Sequence, residues 1–91
     1  MTEISAEASL QQLLSQKKVA GYREVVRGIR ANRIRCVAVA GNADKHMKRE
    51  LVAMCKQNGI NVIFRYSKEE LGSALGLDVA CATVGFLKEG Q

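Results

Sequence analysis

A chain of 91 residues has room for one hydrophobic core and none for a second domain. Hydrophobic residues at 47% and charged residues at 25% exclude a disordered chain, and a formal net charge of +5 favours a polyanionic partner, nucleic acid ahead of membrane. Two Phe, two Tyr and no Trp give little basis for a stacking platform of the single-strand-binding type, and no apolar run approaches the ~20 residues of a membrane span.

Taken in order, Thr2 and Ser5 are alternative N-caps for a first helix with an apolar stripe of Ala6, Leu10, Leu13 and Leu14, ending near Lys17. The stretch Lys17 to Arg35 then gathers seven of the fourteen basic residues and a single acid, Glu24. Within it Tyr22, Val25, Val26 and Ile29 recur at helical spacing, so one face packs inward while Arg23, Arg27 and Arg30 line the other. Gly21 precedes this helix, where free backbone N–H groups favour an anion and the missing Cβ admits a ligand. The helix reads either as a phosphate-contacting surface or as a solvated amphipathic face. The link Val19 to Ala20 is open as a short extra strand.

Ile34 to Ala40 is a β-branched apolar run typical of a strand buried on both faces. Asp44 is a candidate cap for a helix running to about Asn58, with Met47, Leu51, Met54 and Cys55 spaced for the core. Ile60 to Tyr66 reads as a second strand. Ser67 and Glu70 have the spacing of a capping box, opening a helix that buries Leu71, Ala74 and Leu75 and stops at Gly76. Val79 to Leu87 reads as a third strand, and Lys88 to Gln91 as a polar tail. Helices alternating with apolar strands predict a three-layer α/β/α sandwich around a small sheet, in one domain spanning residues 1–91.

Catalysis finds no purchase in this sequence. His46, the only histidine, has no Ser, Cys or acid at a motif spacing, and the glycines form no nucleotide-binding loop. Cys36, Cys55 and Cys81 lie in separate apolar runs and read as small buried hydrophobes, with no zinc site or disulfide framework. We expect no enzyme, no metal and no cofactor. The N-terminus does not have the basic start and long apolar run of a cleaved signal, so the expected location is the cytoplasm, with nucleus or nucleolus as alternatives.

The segment KKVAGYREVVRGIRANRIRCVAVAGNAD, followed by a helix, a strand and YSKEELGSALGLDVACATV, resembles the kink-turn-binding ribosomal protein family from about Leu10 to Leu87. That family includes large-subunit ribosomal protein thirty, the archaeal protein shared by the ribosome and box C/D particles, and the RNA-binding domain of the selenocysteine-insertion-element-binding protein. The resemblance implies an α/β/α sandwich around a mixed sheet. It also implies non-catalytic binding of sharply bent RNA in which tandem G·A pairs adjoin a short bulge. Gly21, Glu24 and Arg27 match the family's helix-opening motif directly, Tyr22 is similar to the ribosomal protein thirty branch, and Arg23 stands where asparagine is usual. An arginine only donates, whereas an asparagine donates and accepts.

By that resemblance Glu24 accepts from a guanine amino group, and Arg23 and Arg27 hold base acceptors or phosphates. Lys18, Gly21 and Tyr22 belong to the same surface, and Leu77, Asp78, Val79 and Ala80 form an apolar loop for bulged bases. Read without the family, Leu77 and Val79 are ordinary entry residues of a buried strand. The partners implied are a kink-turn or similar internal loop and the proteins of a ribonucleoprotein particle, with no membrane and a monomer before assembly. The alternatives are selenocysteine-insertion-element binding and a protein-interaction module of the same fold that binds no RNA.

Overall fold

A computed structural model describes residues 17–88, so the helix expected from Thr2 or Ser5 and the end of the polar tail lie outside the described residues. In chain order the elements are β1 (Lys18–Ala20), α1 (Tyr22–Arg30), β2 (Ile34–Val39), α2 (Lys45–Gln57), β3 (Asn61–Ile63), α3 (Lys68–Ala74) and β4 (Thr83–Leu87). The sheet order is β1-β4-β2-β3. β2 and β3 pair in parallel, with α2 as the crossover, and β4 runs antiparallel to both β1 and β2. β1, β2 and β3 therefore point the same way, and α1, α2 and α3 all begin at their carboxyl ends. In open α/β sheets this is the end at which ligands bind.

The local chemistry explains the helix starts. Asp44 accepts from the Met47 N–H at 3.0 Å and caps α2. Ser67 Oγ accepts from the Glu70 N–H at 3.1 Å while Glu70 Oε1 accepts from the Ser67 N–H at 2.9 Å, so the predicted capping box closes in both directions.

The sheet lies between two helical layers, as expected of the sandwich. On one face Val25, Ile29 and Leu51 of α1 and α2 pack against Val37 and Val39. On the other, Leu71 of α3 packs with Ala38, Val84 and Phe86. A bulge between Ile34 and Cys36 shifts the β2 register, so Ile34 joins the α1 face while Cys36 goes to the α3 face.

One reading left open by the sequence is decided, and two strand limits differ from the sequence reading. The Val19–Ala20 link is a strand, stabilised by its ladder to β4 rather than by its own propensity. β3 ends at Ile63, because beyond it the Tyr66 carbonyl turns back to accept from the Gly41 N–H at 2.9 Å. β4 begins at Thr83 rather than Val79: the Cys81 N–H donates to Lys68 O and the Ala82 carbonyl accepts from the Ala40 N–H, so these groups serve the α3 layer and the β2 exit.

Candidate nucleic-acid interface

At the carboxyl end of β1 the chain turns into α1 through Gly21, with φ 96° and ψ 152°. That combination is essentially restricted to glycine. The Gly21 N–H donates to the Thr83 carbonyl at 2.9 Å, so it is not one of the free groups the sequence suggested. The N–H groups of the next turn, from Tyr22 to Glu24, have no side-chain cap. The same hydrogen bond joins the start of α1 to the point where the Leu77–Ala82 loop enters β4.

Along α1, Arg23, Glu24 and Arg27 are exposed and Tyr22 is half-buried. Arg27 Nη1 lies 3.9 Å from Glu24 Oε2, an exposed ion pair of little strength that leaves the carboxylate free to accept from a ligand. A shallow depression of about 730 Å³ follows the helix, lined by Tyr22, Arg23, Val26, Arg27 and Arg30. The Tyr22 hydroxyl donates to Glu50 Oε1 of α2 at 2.9 Å, and this bond, followed by partial desolvation, raises the phenol above its usual range.

The loop leaves α3 with the Leu77 N–H bonded to the Gly72 carbonyl at 2.9 Å. It lies so close over α3 that a Cβ at Gly72 would overlap the Val79 carbonyl oxygen and sit 3.1 Å from Ala80 Cα. Leu77, Asp78, Val79 and Ala80 are all exposed, Leu77 to 44% and Val79 to 70%. Two large aliphatic side chains facing water on a held loop are not the buried strand entry that their apolar pattern indicates. Lys18 stands apart from the other expected site residues. It pairs with Phe86 at the amino end of β1, about 10 Å back along the strand from Gly21.

The same end carries groups that sequence reasoning passed over. Asn42 accepts from the Lys68 N–H at 2.8 Å and donates to Glu69 Oε1 at 3.1 Å, tying the β2–α2 turn to the start of α3. This contact is the main cause that lowers the Glu69 carboxyl pKa. Lys48 Nζ donates to the Gly41 carbonyl at 2.7 Å. Asn42 lay in a recognised turn, but nothing in the sequence linked Glu50 to Tyr22. Among the described residues no group of three or more His, Cys, Asp or Glu side chains is placed to hold a metal ion, and no helix is long and apolar enough to cross a membrane.

These features define a small α/β/α sandwich protein with an arginine-faced helix and an exposed apolar loop meeting at one end of a mixed sheet. The chain belongs to the Ribosomal protein L7Ae/L30e/S12e/Gadd45 family, whose model matches residues 5–91. It is 27% identical over 67 residues to the RNA-binding protein TTE2299 of Caldanaerobacter subterraneus subsp. tengcongensis, a match that covers 74% of this chain and 82% of that protein. The fold is shared with a Bacillus halodurans protein of unknown function, at a TM-score of 0.76 and 23% identity over 89% of this chain and 80% of that one. It is shared too with the Giardia lamblia 15.5kD RNA binding protein, at a TM-score of 0.74 and 22% identity over 88% of this chain and 67% of that one.

Proposed function

We propose that this protein is a non-catalytic RNA-binding member of its family that grips a kink-turn, or a related internal loop with G·A pairs, as part of a ribonucleoprotein particle. The observation that carries the reading is the Gly21–Thr83 hydrogen bond, which ties the uncapped start of α1 to the strand that the exposed Leu77–Ala80 loop leads into. A bent RNA offers both chemistries at once, base edges with donors and acceptors and bulged bases with apolar faces. Glu24 accepts from a guanine amino group, Arg23 and Arg27 donate to base acceptors or phosphates, and Leu77 and Val79 bear the unstacked bases. A carboxylate among cations also selects, because it repels phosphate unless a donor is presented to it. The names of the Caldanaerobacter and Giardia relatives support the RNA partner.

The test is a titration into a kink-turn RNA and into a control whose G·A pairs are replaced by Watson–Crick pairs. Tighter binding to the kink-turn is expected, by at least about fivefold, the effect of losing one base-edge contact of roughly 1–3 kcal/mol. Equal affinity for the two RNAs would overturn the reading. Glu24→Ala should remove the discrimination while leaving weak, salt-dependent binding to both.

A further inference from the structure

The carboxyl end of the sheet is not the only place where cations gather. At the amino end of β1 the Leu87 N–H donates to the Lys17 carbonyl, and the Lys88 N–H donates to the Arg33 carbonyl, both at 2.9 Å. Lys17, Lys88 and Arg33 thus cluster just past the ends of three adjacent strands, β1, β4 and β2, with Lys88 level with Arg33 and Lys17 level with Leu87. α1 finishes against the same end, since the Arg33 N–H donates to the Gly28 carbonyl at 2.9 Å and Asn32 makes the turn with φ 59°. Lys88 Nζ is held by Asn32 Oδ1 at 2.8 Å. A hollow of about 100 Å³ beside this cluster is rimmed by Arg27 and Arg33.

Among the described residues most of the acids are elsewhere. Asp44 caps α2, Glu69 and Glu70 lie in the first turn of α3, and Asp78 is in the apolar loop, all at the carboxyl end. Glu24 reaches the hollow from the first turn of α1. Among the described residues Lys17, Arg30 and Arg33 have no ion-pair partner, and all three are exposed. Arg23, Arg27 and Arg30 connect the two ends along α1, whose nine residues span about 13 Å.

We propose that this cluster is a second RNA-contact face, taking the phosphates of a duplex arm that leaves the gripped loop and runs along the arginine face of α1 to Lys17 and Arg33. The inference rests on the RNA-binding reading above. Exposed cations that continue the arginine face of α1 suit a polymer with charge at regular intervals better than the scattered carboxylates of an acidic protein.

Lys17→Gln with Arg33→Gln spares both the Lys88–Asn32 contact and the residues assigned to the loop grip. The double variant and the wild type would be titrated at several salt concentrations into kink-turn RNAs with one arm at a time cut to about four base pairs or extended to about twelve. On one long-armed RNA the variant should bind about tenfold more weakly at low salt, with a salt slope shallower by roughly two units, near 0.9 per lost phosphate contact. On the short-armed RNAs it should match the wild type. Equal losses on long and short arms, or no loss on any, would overturn the second face. A wild type without preference for G·A loops would instead overturn the reading of the Gly21 end and leave the arm comparison intact.

Discussion

Tyr22 and Glu50, 28 positions apart, share a hydrogen bond of 2.9 Å that fastens the first residue of α1 to the middle of α2. The phenol donates and the carboxylate accepts, so the folded protein favours protonated Tyr22 and its pKa rises. The stabilisation this implies is complete below the ordinary tyrosine value near ~10 and is lost as pH climbs through the raised folded value. Glu50→Gln keeps a hydrogen-bond acceptor but removes the charge. The Tyr22 ring resonance, followed by NMR, should then titrate at lower pH than in the wild type; an unchanged midpoint would show that the charge on Glu50 does not set it.

Gly21 should tolerate no side chain, although nothing lies within 4 Å of the position its Cβ would take. The obstacle is the backbone, whose positive φ with extended ψ costs a residue with a Cβ about 1–3 kcal/mol. Gly21→Ala should lower the urea midpoint by a corresponding amount, and Gly21→Val by more, since β-branching narrows the allowed region further. Equal stability of the alanine variant and the wild type would mean that the α1 entry relaxes to an ordinary conformation.

The sequence made the helix starts legible and left the ends of the strands illegible. Asp44 and the Ser67–Glu70 box satisfy backbone groups within three residues, so their chemistry is written locally. Whether Val79–Ala82 pairs in the sheet depends on Lys68 and Ala40, which no window around the loop contains. Val19–Ala20 is undecidable for the same reason, being a strand only because Val84 and Gly85 lie opposite. The helical half of the candidate site was visible as periodicity from Tyr22 to Arg30. The meeting of Gly21 with Thr83, near the other end of the chain, required the topology.

The three cysteines are buried and free. Burial pushes the Cys55 thiol up to about 11, and burial also raises Cys36. The reactive species is the thiolate, so neither should alkylate in the folded protein at pH 8. Iodoacetamide labelling followed by intact mass should show those two thiols protected until denaturant unfolds the chain. Because the folded pKa of Cys55 is raised, its contribution to stability is full below the ordinary thiol value and is lost as pH rises through about 11. Rapid labelling of Cys55 without denaturant would contradict its burial.

Gly72 and Val79 separate holding the loop from using it. In an exposed helix, Gly→Ala gains up to about 1 kcal/mol from propensity. Here the new methyl would meet the Val79 carbonyl and the Ala80 backbone, which cannot rotate away as a side chain can. Overpacking costs roughly 1–3 kcal/mol, so Gly72→Ala should lose stability and, by displacing Leu77 and Val79, RNA affinity as well. Ser73→Ala, at an exposed position in the same helix, should change neither. Val79→Asp alters a side chain that is 70% exposed, so its stability should stay within about 0.5 kcal/mol of the wild type. Its affinity for a kink-turn should nevertheless fall about tenfold, because an anion replaces the apolar seat of an unstacked base. Chemical denaturation and RNA titration on the same preparations give both readings. If Val79→Asp bound as tightly as the wild type, the loop would have no part in recognition, and the loss in Gly72→Ala would follow from instability alone.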